Sequence, residues 1–361
     1  MKKIQLRLIK DNSIDIIVKK GIVSQLKSIL PDNTDFFILT DQNIYNYYSE
    51  LIEEQFKDDK YNIILCPNGE DAKDFDYIRK IYSDLIELGC NRKSYLIAFG
   101  GGAIGDVTGF IAATFMRGVQ YINIPTTLLG MVDSSIGGKS GINLSSGKNL
   151  IGSIYHPGKI IIDTELLNTL PNREYHSGMA EIIKYSLILD KDLFAKLENN
   201  LPQLLSVNQT SDYLNEIILQ CIQLKVNIVE QDENDNNIRN ILNFGHTIGH
   251  ALEACIGYGK INHGEAVAYG MLYASQLSNI HGDLTIEELN KINHIIKILN
   301  LPKIQNLQID MMLDFIKNDK KKTSDNLKFI VLDGIGKARI TENINFDHIK
   351  TVLENNEYIS C

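Results

Sequence analysis

Five short runs rich in β-branched and aromatic residues alternate with helical patterns over the first 170 residues of this 361-residue chain. The runs are FFILT (36–40), YNIILC (61–66), YLIAF (95–99), YINIP (121–125) and KIIID (159–163). This alternation is typical of a parallel sheet with helices on both faces, because each return to a parallel strand requires a crossover. Open sheets of this kind bind ligands at the carboxyl ends of their strands. The polar residues that follow the predicted strands are Asp41, Asn68, Gly69, Glu70, Thr126, Thr127 and Thr164, together with the glycines from Gly100.

The second half of the chain has a different pattern. After Pro171 strand-like runs largely cease, and segments such as 211–231 and 286–302 show helical periodicity. We therefore predict an α/β domain over 1–170 and a mainly α-helical domain over 171–361. The basic cluster KNDKKK (317–322) is expected, taken alone, to be a solvated loop.

Charge and hydropathy exclude two classes of partner. The chain has 36 Lys and Arg against 45 Asp and Glu, a formal net charge of −9, which argues against nucleic-acid binding. No apolar run approaches the roughly 18 residues needed to cross a bilayer. The N-terminus, MKKIQLRLIKDNSID, alternates like a strand and lacks a cleavable apolar segment. We expect a cytoplasmic protein without membrane contact.

The run Gly100–Asp106, GGGAIGD, satisfies the GxGxxG pattern between a predicted strand and a predicted helix. Glycines in this context let backbone amides approach a pyrophosphate at a helix N-terminus. The alternative is a tight packing turn without a ligand. The next strand ends in threonines where a ribose-binding acid is expected, so Asp41, at the end of an earlier strand, is the candidate for that role.

Residues 131–151 contain few large apolar side chains and are rich in Gly and Ser. Asp133, Lys139, Lys148 and Asn149 stand among them, and two lysines in such a segment suit an anionic, phosphate-bearing ligand. A flexible surface loop is the alternative. The segment is not a P-loop, because GxxxxGKS is absent.

Three of the eight histidines fall within eighteen residues. His246 and His250 share a face if their segment is helical, and His263 opens a second helical pattern. Three histidines beside Gly and Asn favour a metal or acid–base site over isolated core residues. Glu181, in GMAEIIKYSLI, is an available carboxylate ligand, with Lys184 one turn later. The spacing leaves open which of these side chains bind a metal.

Long motifs across nearly the whole chain identify a resemblance. They are PNGEDAK from Pro67, GGGAIGD from Gly100, RGVQYINIPTTLLGMVDSSIGGK from Arg117, GKNLIGSIYHP from Gly147, GMAEIIKY from Gly178, LNFGHTIGHA from Leu242 and HGEAVAYG from His263. In these motifs and their order, the chain resembles the 3-dehydroquinate synthases of the sugar-phosphate cyclase superfamily. The resemblance implies a nucleotide-binding α/β domain followed by a helical domain, NAD, a zinc or cobalt ion, and a homodimer.

The resemblance also implies the reaction. 3-Deoxy-D-arabino-heptulosonate 7-phosphate becomes 3-dehydroquinate and phosphate. The C5 alcohol is oxidised to a ketone, which acidifies the C6 hydrogen and permits phosphate elimination. The ketone is then reduced again, the ring opens, and an intramolecular aldol step closes the carbocycle. NAD is thus used and regenerated within one turnover, and the metal holds two substrate hydroxyls.

Residue roles follow from the same resemblance. The implied metal ligands are Glu181, His246 and His263, while His250 transfers a proton. The implied substrate contacts are Asp133, Lys139, Asn149, Lys184, Lys225, Arg239, Asn243 and His250, with Arg239 and Lys225 on the carboxylate, Arg117 reaching across the dimer and Lys320 on phosphate. The implied NAD contacts are Asp41, Asn43, Asn68, Gly69, Glu70, Lys73, Gly101, Gly102, Ala103, Ile104, Gly105, Asp106, Thr126, Thr127, Lys139, Lys148, Leu166, Leu167, Asn168 and Thr169.

One segment departs from the family pattern. Asp235 stands where a glutamate proton acceptor is common, and the glycine usual before the arginine is absent from Asp235–Arg239. The missing glycine leaves the backbone conformation of this loop open, although Asn tolerates left-handed geometry better than most residues. Arg239, four residues before Asn243, would share its face if the stretch is an α-helix.

Three alternatives remain open at this stage. Another sugar-phosphate cyclase, acting on glucose 6-phosphate or sedoheptulose 7-phosphate, would share the cofactors. The neutral sugar end of its substrate, which has no carboxylate, would not need the cations Arg117, Lys225 and Arg239. A polyol dehydrogenase that releases NADH would not need the phosphate-binding Lys139 and Lys320. A non-enzymatic scaffold with a structural metal would be expected to provide four protein ligands.

Overall fold

The computed structural model describes residues 13–144, 147–206, 211–257, 259–304, 307–321 and 328–355, with no side-chain description at 318–321. The first twelve residues, where the sequence predicts strand-like alternation, lie outside this set. The chain divides into two compact units: one comprises Met1–Pro125 and Gly137–Asp163, the other Thr126–Ile136 and Thr164–Cys361. The single boundary predicted from the sequence, between residues 170 and 171, places 126–136 in the first domain.

The first unit is built on a parallel sheet. Its elements are β1 (Asp15–Val18), β2 (Phe36–Asp41), α1 (Gln42–Phe56), β3 (Tyr61–Cys66), α2 (Phe75–Glu87), β4 (Tyr95–Gly100), α3 (Gly102–Thr114), β5 (Gln120–Pro125), β6 (Lys139–Leu144), β7 (Gly147–Ile154) and β8 (Lys159–Ile162). Six strands pair in the order β1-β8-β5-β4-β2-β3, and every pairing is parallel. All five predicted strand runs are therefore confirmed as members of one sheet.

The order of the strands defines the ligand edge of this sheet. From β2 the chain moves outward to β3, and it then crosses over to β4 on the other side of β2. The carboxyl ends of β2 and β4 are thus neighbours at the point where the winding direction reverses, which is where open α/β sheets bind ligands. Asp41 and Gly100 are the last residues of these two strands.

The glycine-rich segment after residue 136 forms an antiparallel hairpin of β6 and β7, with Lys139 opposite Ile154. The interpretation as a flexible loop is therefore wrong for the described part of this segment. Ile142 is fully buried within the hydrophobic core that includes α3, and Gly109 of α3 lies so close to β6 that an added Cβ would be 3.0 Å from Ser140 Cβ. Packing against α3 holds the hairpin in place.

The second unit is mainly helical. Its elements are α4 (Asn172–Leu189), α5 (Lys191–Leu205), α6 (Asp212–Gln231), α7 (His246–Ile256), α8 (His263–His281), α9 (Ile286–Ile298), α10 (Ile309–Lys321), β9 (Phe329–Leu332), β10 (Ala338–Thr341) and α11 (Phe346–Glu354). β9 and β10 form a small antiparallel pair. Helix α8 is buried along most of its length and lies at the centre of this unit, against α4, α7, α9 and α11.

Two glycines allow the helices to approach closely. A Cβ on Gly264, in the first turn of α8, would lie 2.1 Å from the carbonyl oxygen of Ser177 in α4. A Cβ on Gly270 would lie 1.9 Å from the carbonyl oxygen of Gly245, which precedes α7. Any side chain at these positions would force the helices apart. No described helix is both long enough and apolar enough to span a membrane.

Candidate active site

At the edge of the first unit, the glycine-rich run forms the predicted strand–turn–helix. β4 ends at Gly100, Gly101 is the N-cap of α3, and no side chain caps that helix in the described part of the chain. The N-terminus of α3 thus lacks a side-chain cap, as the phosphate-binding helix termini of glycine-rich turns do. Gly105 lies against β5, since a Cβ there would be 3.1 Å from Asn123 Nδ2. The turn thus combines close helix–strand packing with the geometry of an anion site.

Lys73 is a buried cation at the same edge. Its ammonium group donates to Asp106 Oδ2 at 2.6 Å and to Asn149 Oδ1 at 3.1 Å, and lies 3.5 Å from Glu70 Oε1. Burial by itself lowers the pKa of Lys73, but Asp106 and Glu70 outweigh burial and hold that pKa above its usual range. Lys73 is therefore charged at neutral pH, and it joins the loop after β3, the first turn of α3 and strand β7.

Asn143 also belongs to this network, although it is not among the residues predicted from the sequence. Its Nδ2 donates to Glu70 Oε2 at 2.8 Å, and its Oδ1 accepts from the Asn149 amide at 3.0 Å. Asn149 has a left-handed backbone with φ of 53°. Asn143 thus contacts Glu70 and the backbone of Asn149, the two residues whose side-chain oxygens lie on Lys73 together with that of Asp106.

The other predicted cofactor residues have varied local roles. Asp41 Oδ1 accepts from the amides of Asn43 and Ile44 and so caps α1. Gly69, with φ of 60°, begins a 3₁₀ turn over Gly69–Lys73. Thr126, Thr127 and Leu166–Thr169 belong to the second unit, where Leu166 and Leu167 are core residues and Thr126 Oγ1 is buried without a described hydrogen-bond partner.

In the second unit, three helices bring a carboxylate and three imidazoles together. Glu181 of α4 is fully buried, and its Oε1 lies 3.8 Å from His246 Nε2 on α7 and 3.7 Å from His263 Nε2 on α8. The ring nitrogens of His246, His250 and His263 also lie within 4.8 Å of one another. The predicted cluster is therefore assembled, with His246 and His250 on one face of α7 and His250 the most exposed of the three.

Both Nε2 atoms that face Glu181 belong to rings whose Nδ1 is already engaged. His246 Nδ1 lies 3.2 Å from the carbonyl oxygen of Phe244, and His263 Nδ1 lies 3.3 Å from Glu253 Oε2. A donor bond from Nδ1 to an oxygen fixes the tautomer with a lone pair on Nε2. Glu253, a buried acid of α7, was not identified from the sequence.

These residues fit a divalent metal ion. Glu181 Oε1 is buried and has no hydrogen-bond partner among the described residues, so it can accept a metal ion while Oε2 contacts Lys184. Two ligand atoms of one tetrahedral zinc ion lie roughly 3.4 Å apart, close to the separations of Oε1 from the two Nε2 atoms. Burial, and then the nearby charge of Lys184, lower the pKa of His246 well below its usual range, so its imidazole is neutral at pH 7 as a ligand requires.

A second charged cluster adjoins Glu181. Lys184 Nζ contacts Glu181 Oε2 and lies 3.8 Å from Asp133 Oδ2, while Lys225 Nζ contacts Asp133 Oδ1 and donates to the Asp133 carbonyl at 2.6 Å. Tyr185 also donates to Asp133 Oδ1, at 2.7 Å. Although burial by itself raises the pKa of Asp133, Lys225 and Lys184 hold it well below the usual range. Asp133 is therefore the counter-ion of two buried lysines.

The segment that leads to Asn243 is not an α-helix. Residues Ile238–Asn243 form a 3₁₀ turn, so Arg239 and Asn243 do not share a face as they would in an α-helix. The left-handed residue is Asp235, with φ of 56°, and Asn237 has φ of −137°. The physical reason is Asp232, whose carboxylate accepts from the amides of Asn236, Asn237 and Arg239 and so folds the loop tightly.

Arg239 itself is buried, and its Nη1 donates to the Glu233 carbonyl at 2.7 Å. Its charge and that of Lys184 both lower the pKa of Lys225, although burial is the largest cause of that shift. The structure thus brings Asp133, Lys184, Lys225 and Arg239 into one electrostatic cluster.

The expected loop at 317–322 is also wrong where it is described, because α10 continues to Lys321. Lysine is a good helix former, and α10 buries Met312, Leu313 and Ile316 on one side. The Lys317 ammonium lies 5.4 Å from the centre of the Phe346 ring. Lys320 lies on this helix, but its side chain is outside the described residues.

The remaining candidates lie in the first unit. Lys139 begins β6 and is exposed, and Lys148 and Asn149 lie on β7. Arg117 is exposed at the end of a 3₁₀ turn in which Met116 and Arg117 have φ of 48° and 67°. Two consecutive left-handed residues other than glycine are uncommon and indicate local strain.

Comparison with known proteins places the chain in a family. Residues 63–177 match the family described as 3-dehydroquinate synthase N-terminal, and residues 178–322 match 3-dehydroquinate synthase C-terminal. A 3-dehydroquinate synthase from Dictyoglomus thermophilum is 42% identical over 347 residues, which cover 96% of each chain.

Solved structures of two other synthases have the same fold at lower identity. The 2-epi-5-epi-valiolone synthase of Streptomyces hygroscopicus, with NAD⁺ and Zn²⁺ bound, has a TM-score of 0.90 at 25% identity and covers 97% of this chain and 98% of its own. A 2-deoxy-scyllo-inosose synthase complexed with carbaglucose-6-phosphate, NAD⁺ and Co²⁺ has a TM-score of 0.86 at 28% identity, with coverages of 94% and 96%. The fold predicted from the sequence is confirmed, and the chain belongs to the 3-dehydroquinate synthase family.

Proposed function

We propose that the chain is a 3-dehydroquinate synthase, a carbon–oxygen lyase that converts 3-deoxy-D-arabino-heptulosonate 7-phosphate to 3-dehydroquinate and phosphate with NAD and a divalent metal. The observation that carries the proposal is the convergence of Glu181, His246 and His263 beside two buried lysines. Family membership supports the reaction.

Glu181, His246 and His263 would hold a zinc or cobalt ion. When bound, such an ion polarises hydroxyl and carbonyl oxygens as a Lewis acid. With two imidazoles and one carboxylate as ligands, coordination positions remain for two substrate hydroxyls. His250 is exposed beside this group and would move a proton near the leaving phosphate, a role in which imidazole is the most frequent side chain.

NAD would bind at the sheet edge of the first unit. The uncapped N-terminus of α3 would face the pyrophosphate, and the charged Lys73 would add a cation there. The other proposed contacts are Asp41, Asn43, Asn68, Gly69, Glu70, Gly101 to Asp106, Thr126, Thr127, Lys139, Lys148 and Leu166 to Thr169. Bound NAD supplies a hydride acceptor that is regenerated when the substrate is reduced again.

The buried cations of the second unit would bind the substrate. Arg239 has the planar fork that recognises a carboxylate, and Lys225, already paired with Asp133, lies close enough to add its charge. Lys139 and Lys320 are proposed for phosphate, with Asn149, Lys184 and Asn243 as further contacts. We also propose a homodimer in which the exposed Arg117 reaches the neighbouring subunit.

The test uses the metal-loaded protein with NAD and the heptulosonate phosphate, and measures phosphate, dehydroquinate and NADH. We expect phosphate and dehydroquinate in equal amounts without accumulation of NADH, because the hydride returns to the carbon it left. NADH formed one for one with substrate would instead identify a polyol dehydrogenase.

A different cyclase is the second candidate, because the similar solved structures are a valiolone and an inosose synthase. Glucose 6-phosphate and sedoheptulose 7-phosphate are therefore supplied in parallel reactions. Phosphate release from either sugar, and none from the heptulosonate phosphate, would replace the proposed substrate. We expect the reverse, because the buried Arg239 suits a carboxylate.

A further inference from the structure

Glu253 occupies an unusual position for an acidic side chain. It lies on α7, seven residues after His246, and only 5% of its surface is exposed. A buried carboxylate is costly unless it is hydrogen-bonded or paired. Its Oε2 lies 3.3 Å from His263 Nδ1, on the side of the imidazole away from Glu181. The burial of this acid is therefore matched by a contact to one imidazole.

The two histidines that face Glu181 are held differently. His246 Nδ1 lies against a backbone carbonyl, that of Phe244, which no side-chain substitution removes. His263 Nδ1 lies against the Glu253 carboxylate, and its side chain is 34% exposed while that of His246 is 11% exposed. His263 therefore has less surrounding protein to fix its ring, and depends more on the contact with Glu253.

We propose that Glu253 is a positioning residue for the metal site, which holds His263 with its proton on Nδ1 and its Nε2 lone pair directed toward Glu181. An imidazole that donates to a carboxylate is a more basic ligand than one that donates to water, and its ring is fixed before the metal arrives. This inference rests on the proposed metal site, and it adds the group that determines how tightly that site binds.

The main variant is Glu253→Gln, which keeps the size of the side chain and removes its charge. We expect its dissociation constant for Zn²⁺, measured on metal-free protein by competition with a chromogenic chelator, to rise about 10- to 100-fold, the usual cost of losing a carboxylate behind a metal-binding histidine. The absorption bands of bound Co²⁺ should also shift, because the orientation of one ligand changes.

The matched control is Glu288→Gln. Glu288 is an acid of the same unit, whose Oε1 accepts from the Ile335 amide and whose Oε2 accepts from Thr285 at the start of α9. Glu288→Gln makes the same chemical change away from the proposed ligands. The Zn²⁺ affinity and the Co²⁺ spectrum of this variant should therefore match those of the wild type. NAD affinity should be unchanged in both variants.

Glu253→Asp keeps the charge but withdraws the carboxylate by one methylene on a packed helix. We expect an intermediate loss of Zn²⁺ affinity, and this variant decides the question if Glu253→Gln does not fold. If the folded Glu253→Gln protein binds Zn²⁺ as tightly as the wild type, the positioning role is overturned. If Glu253→Gln is unfolded, wild-type Zn²⁺ affinity in Glu253→Asp overturns it. If the wild type itself binds neither Zn²⁺ nor Co²⁺, the proposed function fails instead, which keeps the two failures distinct.

Discussion

The ammonium group of Lys73 donates a 2.6 Å hydrogen bond to the carboxylate of Asp106 and so connects the loop after β3 with the first turn of α3. Lys73 is 3% exposed, although lysine is among the residues least often buried. Asn149 and Glu70 complete its surroundings. Lys73 thus offsets the charge of two acids beside an uncapped helix N-terminus, where the sheet order places a ligand.

We therefore expect Lys73→Met to weaken NAD binding by about 10- to 100-fold, because a hydrogen bond from a charged group contributes on the order of 1.5 to 3 kcal/mol. Isothermal titration of NAD into the purified variant measures the change. Lys60→Met is the matched control, since Lys60 pairs with Asp35 on the surface of the same unit. Equal NAD affinity in the two variants would remove Lys73 from the cofactor site.

Asp133 leads to a prediction about stability. Asp133→Asn would leave the buried ammonium groups of Lys184 and Lys225 without their shared counter-ion. Loss of one partner from a buried ion pair costs about 3 to 5 kcal/mol. Urea unfolding at pH 7 should show a loss of this size, whereas Asp58→Asn, which breaks the exposed pair with Lys27, should leave the midpoint unchanged.

The contribution of Asp133 to the free energy of unfolding should depend on pH in a definite direction. The folded-state pKa of Asp133 is depressed, so its stabilisation is present above the ordinary aspartate pKa of about 3.9 and is lost as pH falls through the folded value. The difference in unfolding free energy between wild type and Asp133→Asn should therefore be constant from pH 7 down to about 5 and should shrink only in stronger acid. A difference that vanished at pH 5 would show that Asp133 is not held ionised by these lysines.

Periodicity predicted most of the scaffold, for a physical reason. Strands buried in a parallel sheet are nearly continuous runs of apolar residues, so FFILT and YLIAF are readable without knowledge of their partners. Spacing on α7 likewise brought His246 and His250 to one face. These features depend on residues close together in sequence.

Features that depend on distant partners could not be read in this way. The hairpin of β6 and β7 lacks the β-branched enrichment of a strand, and it forms because Ile142 packs into the core that contains α3. The 3₁₀ turn before Asn243 exists because one acid, Asp232, accepts three backbone amides. Glu253 is one of many acids in the sequence, and only the packing of α7 on α8 shows that it contacts His263.

A substitution of Arg239 tests whether the substrate carries a carboxylate. Arg239→Lys keeps the charge but loses the planar fork, so we expect kcat/KM for the heptulosonate phosphate to fall by an amount equivalent to about 1 to 3 kcal/mol. Part of this loss will reflect the bond from Arg239 Nη1 to the Glu233 carbonyl. Thermal unfolding of the variant measures that structural share. Unchanged kinetics would exclude Arg239 from the carboxylate site.

His250 provides the sharpest test of the metal assignment, because one of its ring nitrogens lies within 4.8 Å of a ring nitrogen of His246 and of His263. In a two-histidine, one-carboxylate site His250 is not a ligand and can transfer a proton, whereas a three-histidine site would make it a ligand. We expect His246→Ala and His263→Ala to lose the metal together with activity. His250→Ala should retain one zinc per subunit and normal NAD affinity, while turnover slows by roughly 10²- to 10⁴-fold, as for a lost general acid or base. Metal analysis of the three purified proteins, each checked for folding by circular dichroism, decides between the assignments. A folded but metal-free His250→Ala protein would make His250 a ligand.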